Sequence, residues 1–272
     1  YAYNFKATFN AKNITGKDDE TLEPIEFTVE KIEDWMQPGE DVALNNELID
    51  TDETLENKTL TSDAVVSGSA TIAGTFDGGN FTVTPSNPAV VGGTVVSEGT
   101  MDGGVYPFFI LTPGTTVKNV TIDGQNMETE EVDSKGKHYG IRGLYMNQPG
   151  TYTVDNVTIK NVTYTFNVNT SLEEVILNVS NSTLEGWTSY GATTTATFNN
   201  VTFTAGKYAN FKPYGTTTVT NCEFTDVTLD FSALVESITF DGCTINGVAL
   251  TADNIASVSE DYVAKAALIT IK

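Results

Sequence analysis

Hydrophobic and polar positions along this chain recur in a six-residue unit. The clearest copies are Val117–Ile122, Val154–Ile159, Val179–Leu184, Phe198–Phe203, Val219–Phe224 and Phe240–Ile245. Three earlier stretches, Leu55–Leu60, Phe76–Phe81 and Val96–Met101, fit more loosely. Positions one and six are apolar in every copy. The third position falls at 57, 78, 98, 119, 156, 181, 200, 221 and 242, in steps of 21, 20, 21, 37, 25, 19, 21 and 21 residues. A period near twenty marks a solenoid, in which each unit buries its apolar face only by stacking on the next.

The columns say which kind. Position three is Asn at 57, 119, 156, 181, 200 and 221, and Gly at 78 and 242. Both residues tolerate positive φ, so this position is a sharp backbone bend. Positions four to six then read as a short strand, apolar side chains in and Thr out. No stretch of the repeat region holds a helical period. The expected fold is all-β: a single-stranded right-handed parallel β-helix over residues 49–250, with terminal caps at 1–48 and 251–272. In the first cap, 28–36 reads as a short helix with Trp35 inward. In the last, "ALITIK" reads as a final strand. The 37-residue step holds a polar insert near 123–138, expected to leave the wall as a loop.

Together with "GTFDGGNFTV" at 74–83, the apolar-x-Asn-Val-Thr-Ile unit resembles the right-handed parallel β-helix proteins of the pectin-lyase-like superfamily, over roughly residues 50–250. It also resembles acidic, Thr/Asn-rich secreted proteins of Gram-negative gut anaerobes that are described as adhesion or surface proteins. The superfamily includes polysaccharide lyases, which combine calcium-binding carboxylates with an Arg or Lys base, and hydrolases with paired Asp residues. None of those motifs is present. The sequence requires no cofactor, and calcium stays open only through the resemblance.

Composition narrows the partners. Thirty-six acidic against fourteen basic residues give a formal charge of −22, a surface that repels nucleic acid and anionic membranes. No apolar run approaches a membrane-spanning length. The chain starts at Tyr1 rather than Met, which reads as a processed or trimmed chain and points to a secreted or cell-surface protein. Cys222 and Cys243 hold position four of adjacent units. Strand spacing would put their Cα atoms about 5 Å apart. They read as two buried small hydrophobes, with a disulfide as the alternative.

Three groups of residues carry candidate chemistry. Lys118, Lys135, Lys137, Arg142 and Lys160 crowd around the insert, with His138 and the carboxylates Glu128, Glu130, Glu131 and Asp133. Such a loop could neutralise itself, clasp an anionic sugar through Lys118 and Arg142, or supply acid–base groups at His138, Arg142, Glu131 and Asp133. Trp187, Tyr190 and Tyr214 could stack on sugar rings, whereas Tyr164 and Tyr208 fall in a column expected to be core. Asp77, Asp155 and Asp241 share position two but fall in copies too far apart to act as a pair, since glycoside chemistry needs carboxyls about 5–10 Å apart. The leading expectation is a non-catalytic surface protein that contacts polysaccharide or cell-surface glycan. A lyase or hydrolase acting near 123–142 is the alternative. Ice binding is a minor one: position-five Thr forms a single file, broken by Glu223 and Asn80, and the Thr runs at 193–198 and 216–220 look irregular.

Overall fold

The structure, a computed structural model, describes residues 46–50, 52–85, 89–91, 94–96, 106–132, 138–168 and 173–272. The expected strand and Trp35 helix near the N-terminus lie outside these. The described chain is mostly strand, and nearly all of its pairings are parallel, each segment lying beside the one a repeat later. This is the pairing an all-β solenoid requires.

The strand Gly150–Lys160 shows how one repeat is built. Its first half pairs with Val175–Ser180 and its second half with Thr183–Glu185, and Asn156 stands between them. The same split recurs at Thr194–Asn199 and Thr202–Thr204, at Thr216–Thr220 and Glu223–Thr225, and at Ile238–Asp241 and Thr244–Ile245. A second sheet stacks other segments of the same repeats. It includes Tyr106–Leu111, His138–Met146, Tyr164–Val168, Trp187–Ser189, Asn210–Lys212 and Thr228–Asp230.

Alternation within these strands makes the core. Position one (Val117, Val154, Val179, Phe198, Val219, Phe240) and position six (Ile122, Ile159, Leu184, Phe203, Phe224, Ile245) are buried throughout. Phe203 and Phe224 stack at 4.8 Å between ring centroids, and Phe211 of the second sheet meets both edge-on at 4.9 and 5.3 Å. Aromatic contacts of this kind add about 0.5–1.5 kcal/mol each beyond burial.

The Asn corner is as expected in conformation. Asn119, Asn156, Asn181, Asn200 and Asn221 have φ between 50° and 55°, and Gly242 has 61°. Their amides link successive repeats. Asn156 Nδ2 donates to Asn119 Oδ1 at 2.9 Å, and Asn200 Nδ2 donates to Asn181 Oδ1 at 2.9 Å. Asn181 instead donates to Asp155 Oδ1 at 2.8 Å. These side chains are exposed, apart from half-buried Asn119. They leave the bend on its outer side, and the inner side is served by position four. There Ser182 Oγ accepts the Val157 N–H at 3.1 Å, and Cys222 Sγ accepts the Val201 N–H at 3.4 Å. Cys222 and Cys243 are free, buried thiols.

Of the three loose copies only Phe76–Phe81 is a rung of this ladder, and its register shifts part-way. Leu55 pairs with Ile72 in the second sheet, and Asn57 turns a different corner, beside Gly74. In Phe76–Phe81 the register jumps: Asp77 lies opposite Lys118 but Phe81 opposite Val120, so Gly78, Gly79 and Asn80 face the single Asn119. A bulge of this kind hides two residues from any count of period. Val96 belongs to a separate hairpin, Ala89–Val91 with Thr94–Val96, and residues 97–101 lie outside the described set. Thr75–Val83 therefore stacks directly on Thr116–Ile122.

The insert is not a plain loop. Glu128–Val132 runs antiparallel to the start of His138–Met146, with Glu128 opposite Gly140 and Val132 opposite His138. A polar segment can form a strand at an edge, where no apolar face is needed. At the other end, Ser259–Glu260 pairs with Thr228–Asp230 and Ile269–Ile271 pairs with Ile238–Asp241, so the last residues continue both sheets.

The corner predicts a ranking. Asn200→Ala adds left-handed strain to the lost amide bond and costs about 2 kcal/mol, whereas Asn200→Gly loses only the exposed bond, about 0.5–1 kcal/mol. Urea denaturation of the two variants checks the order.

Candidate functional site

The outer side of the second sheet carries the most distinctive chemistry. In His138–Met146, Ile141, Leu144 and Met146 are buried, while Arg142 and Tyr145 are half-buried. Arg142 lies opposite Tyr164, Tyr164 opposite Trp187, and Lys212 belongs to the strand beyond. Four neighbouring strands thus present a cation, two aromatic rings and a second cation. The Arg142 guanidinium sits 4.6 Å from the Tyr145 ring centroid, and Lys212 Nζ sits 5.8 Å from that of Trp187. Trp187 packs against Tyr164 at 5.9 Å and edge-on against Tyr208 at 5.3 Å. Tyr208 is buried, as its column suggested, but half-buried Tyr164 forms part of this surface.

The two cations differ. Lys212 pairs with Asp230 at 3.1 Å. Asp230 is raised by its own burial, but Ser232 and Lys212 outweigh that and hold it below the usual carboxylate range. Arg142 has no carboxylate partner among the described residues, and its Nε is buried without a hydrogen bond. Burial pulls its pKa down while Tyr145 and Tyr164 push it back up. An arginine stays protonated under any such shift.

The remaining candidates separate. Lys118 is on the other sheet, 3.1 Å from Asp77 Oδ2, and Lys160 lies 3.3 Å from Asp123. The basic cluster of the sequence is therefore not one patch: its lysines at 118 and 160 are neutralised by carboxylates one strand away. Lys135, Lys137 and Asp133 lie outside the described residues, as do the side chains of Glu131 and His138. Tyr190 is 1% exposed, its hydroxyl bonded to Thr217, so it is interior rather than a ligand contact. Half-buried Tyr214 sits in the turn after Asn210–Lys212, its carbonyl accepting the Val235 N–H at 3.0 Å. The three aromatics do not share a face.

Asp77 and Asp155 need a second correction. They are not in distant copies. Lys118 pairs with Asp77 on one side and with Asp155 on the other, so the two carboxylates lie two strands apart, about 10 Å. Neither has the raised pKa of a general acid. The Asn119 amide and the Gly79 N–H hold Asp77 low, with help from Lys118, and Ser180 and Asn181 hold Asp155 low. These carboxylates fasten the corner.

Sequence reading missed Tyr145, Lys212 and the pairing of Arg142 with Tyr164, because they join strands whose register the insert obscures. It also missed an open groove of 730 Å³ along the turns that precede strands of the first sheet, with Glu173, Glu174 and Glu236 around Thr151, Thr195 and Thr216. Among the described residues no group of three His, Cys, Asp or Glu could hold a metal ion. No helix there is long and apolar enough to cross a membrane. No protein-family model matches the chain, and no curated protein matches it significantly.

The carboxylate pKa values fix an acid response. Asp77 and Asp155 titrate below their ordinary 3.8 when folded, so what they add to stability is full above that pH and is lost as pH falls through the lower folded values. The double variant Asp77→Asn/Asp155→Asn should be less stable than the parent at neutral pH. The gap should close as the pH falls below 3.8 through the lower folded values, read from urea midpoints across the pH range.

Proposed function

We propose that the chain is a right-handed parallel β-helix of the pectin-lyase-like kind, and that it acts as a secreted, non-catalytic surface protein that holds a glycan on the outer side of its second sheet. One observation carries the reading: the row Arg142, Tyr164 and Trp187 across three adjacent strands, with Lys212 of the fourth strand, opposite Ser189, reaching the Trp187 ring. Sugar rings present flat C–H faces that stack on Trp and Tyr, and the guanidinium fork of Arg142 offers donors to hydroxyls or carboxylates. A rigid sheet holds these groups at fixed spacing, which lowers the ordering cost of binding an extended chain.

The alternative of a lyase or hydrolase at the insert has less support. Of its four residues only Arg142 has a described side chain. Among the described residues the shifted aspartates, at 77, 123, 155 and 230, all lie low, as ionised structural groups do.

A glycan array that includes uronic-acid polymers tests the proposal. Binding should weaken about tenfold or more in Arg142→Ala and in Trp187→Ala, for losses near 1–2 kcal/mol each. Lys118→Ala should bind as the parent does. No bound glycan, or binding that survives both substitutions in variants with parental melting temperature, would overturn it.

A further inference from the structure

The Thr runs that look irregular in sequence fall into register in the structure, on the sheet face before the Asn corner. Thr116 pairs with Thr153, Thr153 with Asn178, Asn178 with Thr197, Thr197 with Thr218, Thr218 with Thr239 and Thr239 with Thr270. No register shift interrupts this file. Thr75 extends it by one rung opposite Thr116. Two residues earlier along the strands a second file runs parallel to it: Thr151, Ile176, Thr195 and Thr216. All four members of the second file are exposed, and the first file is half-buried or exposed.

These twelve positions hold no charged residue, on a chain with 36 acidic ones. Asp77, Asp155 and Lys118 stand in the next file, beside the corner, and on the other side Glu173, Glu174 and Glu236 border the second file at the turns. The two-file strip between these charged borders has two fixed periods, about 4.8 Å between rungs and about 6.7 Å between files. Thr is stiff at χ1, so a pleated ladder sets its hydroxyls and methyls in like orientations from rung to rung. Charges would hold their own hydration shells and break such an array. The pattern suits a partner that is uncharged and periodic in two dimensions, with hydrogen-bonding and apolar sites at the same spacings. The prism face of ice has oxygen repeats close to both periods.

We propose that this threonine face binds ice. It is on the other sheet from the glycan row and does not depend on it. The test is ice-recrystallisation inhibition and thermal hysteresis of the whole protein, beside Thr197→Tyr/Thr218→Tyr and the control Thr202→Tyr on the sheet face after the corner. The parent and the control should slow recrystallisation and shape ice crystals. The double variant should lose both effects while keeping the parental melting temperature, since its new side chains point to solvent. Ice growth indistinguishable from buffer with the parent protein, or full activity in the double variant, would overturn the proposal.

Discussion

A left-handed backbone residue, repeated once per coil at the same place, is the constraint on which the rest of this structure rests. Asn119, Asn156, Asn181, Asn200 and Asn221, with Gly242, turn each strand through the corner at φ near 50–60°. Only Asn, Asp and Gly reach that region at low cost. Because the turn takes one residue, positions one and six both fall inward, on either side of it. The apolar stack from Val117 to Phe240 and the phenylalanine column at 203 and 224 follow from this geometry. The outward positions are then free to differ from face to face, and they do.

The same corner explains where the charge goes. Asp77, Lys118 and Asp155 stand in consecutive strands at position two, next to the Asn file: Asp77 pairs with Lys118 and accepts from Asn119, and Asp155 accepts from Asn181. Asp123 and Lys160 repeat the device at the far end of the next strand, with Asn161 as the amide partner. Opposite charges directly across a sheet are stabilising and like charges are not. The alternation of Asp and Lys along a file thus specifies register as well as stability. Arg142, on the aromatic face, has no such carboxylate among the described residues.

Much of this was legible in the chain itself. Asn at position three, Thr at five and apolar residues at one and six carry the period, and the bend was read from them directly. The first coils were not legible, because the bulge at Gly78, Gly79 and Asn80 and the hairpin at 89–96 each break the count without breaking the stack. The candidate site was read poorly for a related reason. Trp187 and Tyr190 are three residues apart, which on a period-two strand puts them on opposite sides, so one faces out and the other joins the core. Lys118 and Arg142 are close in sequence but belong to different sheets. Its spacing after the repeat puts Tyr164 in a column with buried Tyr208, but strand pairing brings it opposite Arg142 and Trp187 instead.

The most direct test of this account is a double-mutant cycle on the Asn file. Asn119→Gly and Asn156→Gly keep the left-handed corner and each removes the amide bond between the two repeats; Asn119→Gly also removes the bond to Asp77, which the cycle subtracts. Their destabilisations should be non-additive by about 0.5–1 kcal/mol in urea, while Asn119→Gly combined with Asn221→Gly should be additive. Additivity in the neighbouring pair, or coupling as large in the distant one, would contradict the claim that these side chains link each coil to the next.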